Sequence, residues 1–333
     1  MNIHITLDYE LFFGTSSGTV ENCMIKPTNL LLELLKPRSI KATFYVDVGY
    51  IECARRLNCD SENVEKVITQ LEQLNNAGHD LQLHIHPHWD DANYVDGKWL
   101  FDMSRYRLAD FTQQQAASII KRYVAVFGEL NLPKPVAYRA GGWCIQPFEH
   151  IADALYENGI RVDSTVYNGG KNSSKTHFFD FTQSPKLNDW RFNHDPCKDD
   201  DNGIFYELPI SHINVQPLFF WQFALAKKLG REQHKNYGDG SAVPMSKLQM
   251  MKLLLFPSSS VASIDGYKAK LMKKAQENQL SQLGQDSDLV FIGHPKAFSD
   301  YSLKQVKQFL QQSSTVKFLT VSDWLKQKQT EID

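Results

Sequence analysis

The chain has 333 residues, is 42% hydrophobic and carries a formal net charge of −2. That is enough apolar material for a large core, and too little positive charge for nucleic acid as the main partner. No run approaches the ~18 apolar residues that span a bilayer.

Met1-Asn-Ile-His leads directly into a strand pattern, with no basic stretch followed by an apolar one. No secretory signal is visible, and the expected compartment is the cytoplasm. Five cysteines (Cys23, Cys53, Cys59, Cys144, Cys197) are odd in number and form no CxxC pair, which predicts reduced thiols.

Residues 3–8 predict a buried strand, and 27–36, with Pro27 at its start, a helix. Ala42-Thr-Phe-Tyr-Val46 predicts a second strand. Val64, Val67, Ile68, Leu71 and Leu74 recur at helical spacing over 61–77, and Gly78 closes that helix. Strand 80–84, helix 112–127, strand 136–139, helix 148–158 and strand 160–163 follow. Alternation at this spacing implies parallel strands joined by crossover helices. From 167 to about 202 the chain is polar and predicts loops and turns. Strand 205–210, apolar helix 217–229, a helix at 247–256, an amphipathic helix at 268–282 and strands 289–294 and 316–321 complete the chain, with Ser322 as the cap of a last helix. The expectation is one domain over 1–333, an α/β barrel, distorted and incomplete, with a helical insertion at about 168–287.

In parallel α/β folds, functional residues gather at the carboxyl ends of strands. Asp8 and Glu10 close the first strand, and His84, His86 and His88 the third. Arg139, Asp163 and His294 close later ones. Neutral imidazole is a common metal ligand, and closely spaced histidines need a further donor from elsewhere in the chain, which the amino-terminal acids offer.

These motifs, in this order, resemble the polysaccharide deacetylases (the NodB-homology fold of carbohydrate esterase family four). They are Thr6-Leu-Asp-Tyr-Glu10, Ala42-Thr-Phe-Tyr-Val46, Gly78-His-Asp-Leu-Gln-Leu-His-Ile-His-Pro-His88, Tyr138-Arg-Ala-Gly-Gly-Trp143, Val162-Asp-Ser164 and Ile292-Gly-His-Pro295. The resemblance implies a divalent metal, zinc or alternatively cobalt, nickel or manganese, on Glu10, His84 and His88. It implies Asp8 as general base, Arg139 paired with Asp8, His294 as the acid that protonates the leaving amine, and Asp163 as the group that orients His294. Backbone N–H groups near Tyr9 could add oxyanion stabilisation.

The family's common pair of adjacent aspartates is here Asp8-Tyr9-Glu10. In an extended segment both acids point to one side, and the roles of base and ligand can be exchanged between them. His86 fits a pocket wall or a place behind the ligands, and Trp89 and Trp143 fit either core or a face for a sugar ring. His79 fits a helix end, where it would meet the dipole. Helix 217–229, apolar nearly all round, predicts burial against the barrel, with peripheral membrane contact as the alternative.

The implied reaction is hydrolysis of an N-acetyl group from an amino sugar, releasing acetate. A nucleotide-linked or lipid-linked sugar, or a surface-polysaccharide precursor, is the expected substrate. The alternatives are an amidohydrolase of the same fold on another C–N bond, such as a cyclic ureide, and a non-catalytic carbohydrate-binding protein.

Overall fold

The computed structural model describes residues 1–174, 176–229, 232–243, 247–313 and 316–330. In chain order the elements are β1 (Asn2–Tyr9), α1 (Lys26–Leu35), β2 (Thr43–Asp47), α2 (Gly49–Arg56), α3 (Ser61–Asn76), β3 (Asp80–Ile85), β4 (Asn93–Val95), β5 (Lys98–Leu100), α4 (Gln113–Glu129), β6 (Ala137–Ala140), α5 (Ala152–Glu157) and β7 (Val162–Asp163). There follow β8 (Lys171–Ser173), β9 (Phe178–Asp180), β10 (Trp190–Phe192), β11 (Phe205–Glu207), β12 (His212–Val215), α6 (Pro217–Lys228), α7 (Lys247–Leu255), β13 (Ser258–Val261), α8 (Met272–Leu283), β14 (Asp288–Gly293), α9 (Asp300–Gln312), β15 (Lys317–Phe318) and α10 (Val321–Thr330).

The fold is α/β. Its strands pair in the order β10-β11-β7-β6-β3-β2 within residues 41–210, and β15-β1-β14 within residues 1–40 and 211–318; neither run closes on itself among the described residues, as expected of an incomplete barrel. Strands buried on both faces read as continuous apolar runs, and β2 is such a strand, buried from Thr43 to Asp47.

Where one domain is expected, the chain forms two compact units, 1–40 with 211–318, and 41–210 with 319–333. In the first, β1 and β14 pair in parallel as far as Leu7 opposite Gly293. Asp8 therefore begins, and His294 follows, the outgoing ends of two neighbouring strands. Parallel β2, β3 and β6 in the second unit bring Asp47, His84 and Arg139 to one level. One step on, Tyr138, Asp163 and Glu207 are level across β6, β7 and β11.

α4 forms as its sequence dictates. Thr112 and Gln115 cap it reciprocally, and Ala116, Ile119, Ile120, Tyr123 and Phe127 supply the buried face. Other expectations change. The helix expected at 148–158 is reduced to α5, because Ile151 leaves helical geometry at φ −125°. The polar stretch 167–202 contains the short strands β8, β9 and β10. The region 168–287 carries β11, β12 and β13 as well as three helices, so it is mixed and not purely helical. Thr320, not Ser322, caps α10, its hydroxyl accepting from the Asp323 N–H at 3.2 Å. Ser322 instead donates its hydroxyl to Asp80 at 2.7 Å.

Candidate active site

In the first unit, β1 carries Asp8 and leads to Glu10, both buried. His294 faces them from the end of β14, with its Nε2 3.5 Å from Asp8 Oδ2 and 3.9 Å from Glu10 Oε1. Its other ring nitrogen, Nδ1, lies 2.8 Å from Asp265 Oδ2. The same carboxylate oxygen accepts the His294 backbone N–H at 2.8 Å, and Ser263 Oγ donates to Oδ1 at 2.7 Å. Asp265 is thereby held on three sides and fixes the ring.

Burial works against a charged His294. The bond to Asp265 and the charges of Asp8, Asp265 and Glu10 outweigh it and hold the ring above the ordinary histidine range. Burial likewise opposes the charge on Asp265, but the bonds and charge of His294, with the Ser263 hydroxyl, bring its carboxyl below the usual value. Lys296, a buried lysine, donates to Glu10 Oε1 at 2.8 Å and to the Leu11 carbonyl at 2.5 Å. Lysine is almost never buried unless paired, and here it steadies the Glu10 carboxylate.

Asp265 thus takes the orienting position that the sequence assigned to Asp163. Its signal was present in Val261-Ala-Ser-Ile-Asp265, an apolar run ending in an acid, like the other motifs. Lys296 directly follows the last histidine motif, and only its burial distinguishes it from a surface lysine.

In the second unit, His84, His86 and His88 are all buried. His84 Nδ1 is 2.8 Å from the Arg139 carbonyl, so that nitrogen donates and carries the proton. The His86 ring meets His84 and His88 edge-on, and a side chain at Gly141 would approach it to 2.6 Å. Only glycine fits there. Gly142, at φ +60°, also has the left-handed geometry that favours glycine. His88 is stacked on Tyr106, with ring centroids 5.3 Å apart.

Arg139 donates Nε to the Ser164 carbonyl at 2.7 Å and lies over the Tyr45 ring at 4.0 Å. Asp163 accepts from the Thr165 N–H at 3.0 Å and hydroxyl at 2.7 Å. Burial raises Asp163 above the ordinary aspartate value. Burial, and then the neighbouring Asp163, raise Glu207 well above the ordinary glutamate value. Glu207 was not foreseen, since a glutamate in Phe205-Tyr-Glu-Leu carries no motif.

Trp89 is fully buried among Tyr50, Trp99 and Phe101, and donates Nε1 to Asp47 at 2.7 Å. It offers no face to a sugar. Trp143 is half-buried, against Tyr167 and Phe179. Tyr9 is fully buried, and burial pushes its hydroxyl far above the usual tyrosine value. His79 accepts the Ala42 N–H on Nδ1 at 3.1 Å, and burial brings it down to about 4. It is therefore neutral, and the dipole interaction expected of a charged ring does not arise.

Glu10 in the first unit, and His84 and His86 in the second, are buried groups of the kinds that ligate a metal ion. A carboxylate and two imidazoles form a fitting donor set for a divalent transition metal. His88, the other imidazole of this stretch, is buried as well and stacks on Tyr106.

No family model matches the chain, and no curated protein matches it. A 4-alpha-glucanotransferase from Thermococcus litoralis is similar in structure, with a TM-score of 0.52 at 13% identity, over 98% of this chain and 38% of that one. A Mycobacterium smegmatis protein assigned as a polysaccharide deacetylase gives 0.49 at 15% identity, over 91% of this chain and 77% of that one. PuuE allantoinase gives 0.49 at 10% identity, over 97% of this chain and 88% of that one. Family 4 carbohydrate esterases are also among the solved structures it resembles. At such identities likeness speaks to the fold alone.

Proposed function

We propose that the chain is a polysaccharide deacetylase-like hydrolase that removes the N-acetyl group of an amino sugar and releases acetate. The observation that carries this reading is the Asp8–His294–Asp265 relay beside Glu10. The acid is hydrogen-bonded to the group that orients it and lies 3.5 Å from the base. The motif order along the chain supports it as well, and Glu10, His84, His86 and His88 offer the carboxylate and imidazole donors that a divalent cation takes.

When bound there, a divalent cation such as zinc supplies Lewis-acid polarisation of the acetyl carbonyl and lowers the pKa of water. Cobalt, nickel or manganese would suit the same ligands. Asp8 takes the proton of the attacking water. His294, kept charged by Asp265, gives its Nε2 proton to the amide nitrogen as the C–N bond breaks. Acetate and a free amine result. Asp265 fixes the tautomer that makes this donation possible, as the acid of a catalytic triad does. Arg139 and Asp163 act on the architecture of the second unit through Ser164 and Thr165. The Tyr9 N–H faces the developing oxyanion, and Trp143 supplies an apolar wall for the sugar. His88 with Tyr106 packs behind the ligands.

The substrate is a nucleotide-linked or lipid-linked amino sugar, or a surface-polysaccharide precursor, met in the cytoplasm. Free cysteines suit a reducing compartment, and burial pushes Cys53, Cys144 and Cys197 up to about 12, which keeps them protonated. Among the described residues no helix is long and apolar enough to cross a membrane.

The test is acetate release across N-acetylated nucleotide sugars and glycolipids, with and without added divalent metal, for the natural chain and Asp8→Asn. Release from one substrate class that is lost in the variant supports the reading. Sugar binding without any acetate release would replace it with a binding protein.

A further inference from the structure

An apolar helix is normally buried, and α6 and α7 are not. In α6 only Phe219 and Phe220 are buried, while Leu218 is 66% exposed and Trp221, Phe223 and Leu225 also face outward. α7 has no buried residue. Leu248 is 64% exposed, and Met250, Met251, Leu255 and, just beyond it, Phe256 are exposed too. Trp221 Nε1 donates to the Leu254 carbonyl at 3.1 Å, so the two helices form one surface. Contiguous apolar area of this kind marks an interaction site.

The charges on this surface decide the partner. The two helices carry Lys227, Lys228, Lys247 and Lys252, all exposed, and no acid. Apolar side chains bordered by lysines without acids match a layer of anionic headgroups over acyl chains. A second copy of the same surface would bring lysine against lysine. α6 and α7, with 12 and 9 residues, are too short to cross a bilayer. Beside α6 lies a cavity of about 600 Å³ lined by Phe223, Lys227, Glu232, His234, Asp239 and Tyr267. Its wall reaches Gly266 and Ala297, the chain neighbours of Asp265 and Lys296.

We propose that the α6–α7 pair is a docking face for the surface of an anionic membrane. Leu218, Trp221, Leu225, Leu248 and Leu255 enter the headgroup boundary, and the lysines meet the phosphates. The docking does not depend on the deacetylase reading. If that reading also holds, the cavity would bring a membrane-borne substrate toward the catalytic histidine.

The experiment is co-sedimentation of the full chain with vesicles of phosphatidylcholine alone and of phosphatidylcholine with phosphatidylglycerol. Binding to the anionic vesicles is expected to be at least about tenfold tighter than to the neutral ones and to weaken with salt. Leu225→Ser with Leu248→Ser and Leu255→Ser should abolish it, and Lys227→Glu with Lys228→Glu should weaken it by about tenfold or more. All five side chains are exposed, so an unchanged thermal midpoint should accompany the loss. No binding to anionic vesicles, binding that the substitutions leave unchanged, or a solution dimer that the serine variant converts to monomer would each overturn the proposal.

Discussion

Replacement of Asp265 by asparagine puts the acid half of the mechanism to the test. Asp265 Oδ2 lies 2.8 Å from His294 Nδ1 and accepts the backbone N–H of the same residue. Asparagine keeps the volume and one acceptor but removes the negative charge. If its amide faces Nδ1, the ring must hold its proton on Nε2 and loses the charge-assisted bond that favours the cation. In a catalytic triad the equivalent change lowers kcat by about 10⁴-fold. Here Asp8 and Glu10 also raise His294, so a smaller loss of about 10²–10³-fold is expected, or ~2.7–4.1 kcal/mol of barrier.

Two readouts separate this from loss of structure. Acetate release measured against pH should show its basic limb displaced to lower pH, because a histidine held above its ordinary value by Asp265 falls back when that charge goes. A titration of the His294 ring by NMR should show the same direction. A variant within about threefold of the natural rate, with an unmoved basic limb, would refute the assignment. It would do so decisively if Asp163→Asn moved that limb instead.

Glu207→Gln should leave activity near that of the natural chain, because burial raises this carboxyl well above its ordinary value and so favours the neutral form; a loss above about tenfold in kcat would mean that its charge is used. Trp89→Ala should cost about 3–5 kcal/mol in urea unfolding as a buried aromatic deletion, whereas Trp143→Ala should chiefly raise KM. His79 should make stability depend on pH. Its folded value, about 4, lies below the ordinary 6.5, so the unfolded chain binds the extra proton, and this contribution is complete above about pH 6.5 and lost as pH falls toward 4. For a half-buried ring the loss is about 1–2 kcal/mol after allowance for solvent, and urea midpoints of the natural chain and His79→Asn should converge at low pH.

The strand ends were legible because parallel α/β architecture concentrates polar residues there. Asp8, Glu10, His84, Arg139 and His294 each follow or end an apolar run that folds as predicted. The pairing of His294 with Asp265 was less visible. Asp265 ends a short segment of the irregular region after β13, and nothing in that sequence says which strand it lies beside; the bridge from Ser263 to Ile292 decides it. That His88 stacks on Tyr106 while His86 meets its neighbours edge-on is likewise something alternate spacing cannot reveal. Trp89 was ambiguous for a similar reason: a tryptophan after a ligand motif looks the same in sequence whether its ring faces a sugar or Asp47. For α6 the all-round apolar pattern was plain, but burial against the barrel, the usual outcome of that pattern, did not follow.

The central claim is that Asp8 and His294 act as the base and the acid of an amide hydrolysis. Acetate release from an N-acetylated amino sugar, measured for the natural chain, Asp8→Asn and His294→Ala, tests it directly. The account predicts a rate lower by more than about 100-fold in each variant, with an unchanged thermal midpoint. Release within about threefold of the natural rate in either folded variant would contradict it.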